Sequence, residues 1–170
     1  MDATRIIAIR HGETAWNVDS RLQGHLDIPL NDVGLWQARQ AALALADEPI
    51  DAIYSSDLQR SFGVLQGHTF EELEAKEPEQ AYRWRKRDPA FAPEGGESLI
   101  ALRERITATT HALAAQHMGG QIVLVAHGGV LDVLYRAATR QDIQAPRTWQ
   151  LGNAAINRLL WTPDGLSLVG

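Results

Sequence analysis

Two histidines stand where apolar runs end: Arg5 to Thr14 reads RIIAIRHGET, and Gln121 to Gly129 reads QIVLVAHGG. Both runs are short, unbroken and rich in β-branched residues, which suits strands covered on both faces of a parallel sheet. Open sheets of that kind bind ligands beyond the carboxyl ends of their strands, so two central, parallel strands would bring Arg10, His11 and His127 to one crevice. Gly12, Gly128 and Gly129 let the backbone turn tightly and approach a ligand. A helix opening at Val130 would aim unpaired N–H groups and its positive dipole end into the same space. All of this attracts an anion. Arg10 offers a planar fork of donors for phosphate oxygens, and a neutral imidazole at His11 is a nitrogen nucleophile able to take a phosphoryl group. One histidine at a strand end is commonly a hydrogen-bonded structural residue; two in matching contexts point to phosphohistidine chemistry. A zinc set of His11, Glu13 and His127 is the rival, although no closely spaced histidine pair anchors it, and activity in a chelator would count against it.

The elements that must hold these residues alternate strand and helix. Ile6–Ile9 and Ile122–Val125 are the clearest strands, with Ile50–Ser55 a weaker third. Asn31 can cap a helix carrying Leu35, Ala38, Ala42 and Leu45. Thr69-Phe70-Glu71-Glu72 reads as a capping box opening a helix that stops by Pro78. Leu99, Leu102, Ile106, Thr110 and Leu113 recur at helical spacing after Ser98, and Gly119-Gly120 closes that pattern. Val130–Ala138 is a further helix. Ala155–Trp161, the turn Pro163-Asp164-Gly165 and Leu166–Val169 form a closing hairpin at the sheet edge. The class is α/β: a three-layer sandwich, with a mostly parallel central sheet, helices on both faces and an antiparallel edge strand.

Composition narrows the function. With 170 residues and 45% hydrophobic content the chain suits one domain, residues 1–170. A net charge of −5 argues against nucleic-acid or membrane-surface partners. The absence of cysteine removes thiol catalysis and thiolate metal sites. No apolar run reaches membrane-spanning length and the N-terminus lacks a secretion signal, so the expectation is a soluble cytoplasmic protein, with small anions open as ligands.

Six blocks, in order, resemble the histidine phosphatase superfamily in its phosphoglycerate mutase-like branch. They are RHGETAWN (10–17), LQGHLDIPLNDVGLWQA (22–38), IYSSDLQR (53–60), FGVLQGHTFEEL (62–73), GGESL (95–99) and VLVAHGG (123–129). The resemblance implies that His11 is the phosphorylated nucleophile and that Arg10, Arg60 and His127 complete the phosphate pocket. Asn17 resembles an additional phosphate contact, Gln23-Gly24 the loop beside the substrate, and Gly128 belongs to the second histidine block. Read locally, Asn17 is equally a capping residue, Gln23-Gly24 a plain turn, Arg60 a solvated charge and Glu13 a helix-start residue. Tyr82–Arg87, with its interleaved basic and aromatic residues, reads either as a solvated helix end or as the family's variable lid. The implied activity is metal-independent hydrolysis of phosphomonoesters, with a small phosphorylated metabolite as the partner and no cofactor. The alternatives are a mutase dependent on 2,3-bisphosphoglycerate and an inactive phosphate-ligand or protein-binding module.

The resemblance fails at one place. The family carries a carboxylate just before its aromatic-Gly block and a helix and strand ahead of that; here Gln59-Arg60-Ser61 leads straight into Phe62. About thirty residues are absent, the size of a βαβ element. Either the deletion is real or an internal segment is left out of the written sequence between about Gln59 and Phe62. The second is favoured, because losing a core helix and strand would expose apolar surface. The general acid has no assignment, since the capping-box positions of Glu71 and Glu72 give them a structural role.

Overall fold

A computed structural model of the protein describes residues 2–24, 26–56 and 61–169. Five strands form one sheet: β1 (Thr4–Arg10), β2 (Ala52–Ser55), β3 (Gln121–Ala126), β4 (Ile156–Thr162) and β5 (Gly165–Leu168), in the order β2-β3-β1-β4-β5. β3 pairs in parallel with both β1 and β2, whereas β4 runs antiparallel to β1 and β5 antiparallel to β4. The expected closing hairpin is present, but β4 lies inside the sheet and only β5 is at the edge. Between the strands come α1 (Ala15–Val18), α2 (Asp32–Ala44), α3 (Phe70–Lys76), α4 (Pro78–Arg85), α5 (Leu99–Ala115) and α6 (Gly128–Thr139).

Local chemistry accounts for the helix starts. Asn31, Thr69 and Ser98 each accept a backbone N–H of the following turn with the side-chain oxygen, and Thr69 with Glu72 closes a full capping box. Pro78 ends α3 and opens α4 as its first residue, where a missing N–H costs nothing. The reading of Tyr82–Arg87 as a helix end had no helix before it; α4 supplies one. α6 starts at Gly128, two residues earlier than the apolar spacing suggested.

The two faces of the sheet are unequally covered. Ile6, Ala8, Ile122 and Leu124 point to one side, where Leu99, Leu102 and Ile106 of α5 and Val130, Leu131 and Leu134 of α6 bury them. Ile7, Ile9 and Val123 point to the other, where Leu45 is the buried partner. There α2 presents Ala38, Ala41 and Ala42, too small to reach the sheet, and a cavity of about 360 Å³ remains between them and Ile50, Ile53, Val123 and Val125. Along α2 only Gly34 is buried, while Val33, Leu35, Trp36 and Leu43 are exposed. β2 is an edge strand, with Ile53 66% exposed. A smaller cluster of Leu65, Leu73, Ala81 and Phe91 holds α3 and α4 together. Among the described residues no helix is long and apolar enough to cross a membrane.

This asymmetry has a measurable consequence. Ile122→Ala, at a fully buried site, should lower unfolding stability by roughly 2–5 kcal/mol in urea titrations, and Ile53→Thr by less than about 1 kcal/mol. Equal losses would contradict the description of β2 as an open edge.

Candidate active site

The register of β1 and β3 delivers the two histidines. Arg10 lies opposite Ala126, and His11 follows, its backbone N–H donating to the Ala126 carbonyl at 2.9 Å. The rings of His11 and His127 stand 5.2 Å apart, tilted by 59°. His11 Nδ1 is 2.7 Å from the Gly12 carbonyl oxygen. A carbonyl can only accept, so Nδ1 carries the proton and Nε2 keeps a lone pair. His127 Nε2 lies 3.1 Å from the Ser56 carbonyl, which likewise takes that nitrogen's proton; its Nδ1 is buried without a partner among the described residues.

Burial holds both imidazoles below the ordinary histidine range, reinforced at each by the Arg10 charge and opposed by the carbonyl bond. For His127 the neighbouring His11 adds to the effect, and its pKa is pushed down to about 4. Both rings are therefore neutral near pH 7 and available as nucleophile or acceptor.

Arg10 is pinned by a bond from Nη1 to the Leu151 carbonyl, while its buried Nε has no partner among the described residues. Burial and the charge of Arg147 lower its pKa, yet a guanidinium stays ionised at physiological pH. Gly128 makes room for it, since a Cβ there would sit 3.3 Å from Arg10 Nε. Gly12 has a different role from the expected ligand approach: a Cβ on it would fall 2.4 Å from the Gly34 carbonyl oxygen, so it lets the start of α2 pack on the chain leaving β1. Gly129 faces open space. His127 caps α6 without a side-chain capping bond, leaving the first-turn N–H groups of a twelve-residue helix uncapped beside the histidine pair.

Asn17 is both capping residue and crevice residue. Its Oδ1 accepts the Thr14 N–H at 3.1 Å and the Asn153 Nδ2–H at 3.1 Å. Asn153 also donates to the His11 carbonyl at 3.2 Å. Sequence reasoning passed over Asn153; its only signal is that it precedes an antiparallel strand beside β1, whose start must lie at the carboxyl end of β1. Gln23 accepts from the Thr14 hydroxyl at 3.0 Å, and Gly24 packs against Gln66 and Phe62, so this pair ties its loop to the site's flank. Gln59 and Arg60 lie outside the described residues.

The carboxylates nearby are already engaged. Glu13 accepts from Asn31 Nδ2 at 3.0 Å, Glu97 pairs with Arg105 at 2.6 Å, and Glu72 joins the capping box, Arg21 and His68. Among the described residues no group of three histidines or carboxylates is placed to hold a metal ion, and Glu13 is held away in its bond to Asn31. The arginines of Tyr82–Arg87, in and just after α4, divide. Arg83 pairs with Asp88 and Arg85 with Glu74, whereas Arg87, in a left-handed conformation, turns inward to Asp132. Phe62 and Trp84 pack at 5.1 Å and line the recess beside His127.

A family model described as "Histidine phosphatase superfamily (branch 1)" matches residues 6–62 and 60–170. The chain is 36% identical over 167 residues to the Arabidopsis thaliana "Phosphoglycerate mutase-like protein 4", covering 81% of this chain and 72% of that protein. It is 35% identical over 186 residues to the "Metal-independent phosphoserine phosphatase" of the same plant, covering 92% and 76%. That aligned length exceeds the 170 residues of this chain. The solved structure of a mycobacterial glucosyl-3-phosphoglycerate phosphatase superposes with a TM-score of 0.81 at 31% identity, covering 93% of this chain and 90% of that one.

The depressed pKa of His127 links the site to stability. Below about pH 6.5 the unfolded chain binds protons on this residue that the folded chain does not, so its contribution is full above that pH and is lost as pH falls towards about 4. The urea midpoint should decline between pH 6.5 and 5, and less steeply in His127→Asn. Identical slopes in the two proteins would refute the coupling.

Proposed function

The chain belongs to that superfamily, and on this premise we propose that it is a metal-independent phosphomonoester phosphatase working through a phosphohistidine on His11. The observation that carries this reading is the 2.7 Å bond from His11 Nδ1 to Gly12, which leaves Nε2 as the free nucleophilic nitrogen. Nε2 attacks phosphorus as the ester P–O bond breaks and the leaving alkoxide takes a proton. Water then attacks the phosphorus, the P–N bond breaks, and inorganic phosphate leaves. Charge on the phosphoryl oxygens is met by Arg10 Nε, the first-turn amides of α6 and the Asn17 amide, with Arg60 added by its place in the IYSSDLQR block. A bound dianion opposes the effect of burial at His127 and draws a proton to Nδ1, making it a further donor.

Two curated or solved relatives bear phosphatase names, and one of them is called metal-independent, which supports hydrolysis without a metal or organic cofactor. The cysteine-free, acidic composition suits the cytoplasm. The missing-segment reading draws support from the family match, which comes in two parts that meet at 60–62. The general acid of the relatives would then belong to that segment.

Hydrolysis of p-nitrophenyl phosphate in excess EDTA tests the reading. The wild-type protein should turn over, and His11→Ala should be slower by roughly 10³-fold or more. Retained activity in the variant, or loss of wild-type activity to the chelator, would overturn it. The same assay should follow a neutral nucleophile: burial holds His11 low, so the acid limb of kcat/KM should lie below pH 6.5. A limb above that value would contradict the environment described for His11.

A further inference from the structure

The turn that leads into β4 reaches back to three residues of the phosphate pocket. It closes with the Ala155 N–H on the Gly152 carbonyl at 3.1 Å, and Leu151, just before it, holds Arg10 through its carbonyl. Ala154 donates its N–H to the His11 carbonyl at 3.2 Å. Asn153 donates from Nδ2 to that same carbonyl at 3.2 Å and to Asn17 Oδ1 at 3.1 Å. Ala154 makes its bond from a left-handed backbone, φ 59°, where glycine is the usual residue. A residue with a side chain keeps such a conformation only where its surroundings over-determine it, and here two donors converge on the carbonyl of the nucleophile.

The orientation of both amides follows from their partners. A backbone carbonyl only accepts, so the atom of Asn153 that faces His11 is the nitrogen. A backbone N–H only donates, so the atom of Asn17 that faces Thr14 at 3.1 Å is the oxygen. The two hydrogens of Asn153 Nδ2 serve His11 and Asn17 together. Asn17 Oδ1 in turn takes two donors, and Nδ2 is the end of Asn17 with no partner among the described residues. The two bonds of Asn153 differ in weight. Without Asn153 the His11 carbonyl still has Ala154, whereas Asn17 Oδ1 keeps only the Thr14 N–H, a single bond about which the amide plane can tilt.

We propose that Asn153 is a positioning residue: it locks the side-chain amide of Asn17 with Oδ1 turned to Thr14 and Asn153, so that Asn17 Nδ2 meets a phosphoryl oxygen in a fixed direction. This rests on the phosphatase reading and deepens it, because the Asn17 amide is one of the donors that reading sets on the phosphoryl group. Asn153, with both hydrogens spent on His11 and Asn17, acts through Asn17.

The test is a double-mutant cycle read as the Kd of inorganic phosphate by calorimetry. In the wild-type background Asn153→Ala should weaken phosphate roughly 3–10-fold, the order of one misdirected hydrogen bond. In the Asn17→Ala background the same substitution should change Kd by less than about 2-fold. A turn that merely holds its loop would cost the same factor in both backgrounds. That outcome, an unchanged Kd in Asn153→Ala, or a wild type that binds no phosphate would each overturn the proposal. If Asn153→Ala does not fold, Asn153→Ser supplies the same cycle, since it keeps a turn-forming residue with one hydrogen to donate in place of two. The Kd needs no turnover, so failure to hydrolyse p-nitrophenyl phosphate would strike the phosphatase reading alone and leave the cycle decisive.

Discussion

Arg10 opposite Ala126 on the parallel β1–β3 ladder is the pairing on which the site depends. It sets His11 and His127 side by side beyond the sheet and brings Gly128, the first residue of α6, against the Arg10 guanidinium. A slip of one residue would turn every side chain of one strand to the other face, putting Ile6 and Ala8 against the α2 side. The packing of α5 and α6 on Ile6, Ala8, Ile122 and Leu124 forbids that slip, so the same contacts that stabilise the domain align the histidines. Gly12 and Gly34 enforce the geometry from the other side, since their backbones meet where a Cβ on either would collide.

The second theme is electrostatic. A protein of net charge −5 sets Arg10 beside its two histidines, and keeps both rings neutral first by burial and then by the Arg10 charge. The two effects cooperate. Neutral imidazole supplies the lone pair that phosphorus needs, while fixed guanidinium groups and helix amides supply the positive charge that a phosphoryl dianion needs. Since Arg10 is pinned by Leu151, little reorganisation remains for the moment of reaction.

How much of this the chain displays depends on how local each feature is. The strand ends at His11 and His127 and the caps at Asn31, Thr69 and Ser98 were legible because periodicity and capping act within a few residues. Asn153 was not, because its position follows from the direction of β4. The ion pairs of Asp132 reach from α6 to Arg87, just after α4, and to Arg147 in the loop beyond α6, and nothing in YRWRKR separates Arg87, which turns inward, from Arg83 and Arg85, which do not. Gly12 was assigned to ligand approach when its partner is Gly34, a contact between segments that only the folded chain reveals. The abrupt junction at Phe62 was visible as a break in pattern, and Gln59 and Arg60 beside it lie outside the described residues.

The central claim concerns one covalent bond, between His11 Nε2 and phosphorus. Rapid mixing of the protein with a ³²P-labelled small phosphomonoester, quenched in alkali, should trap a label that is stable to base, released by acid and carried on the peptide containing His11. The same label should be absent from His11→Ala. Turnover with no trapped phosphoenzyme at any mixing time, or a label carried by another residue, would contradict the account.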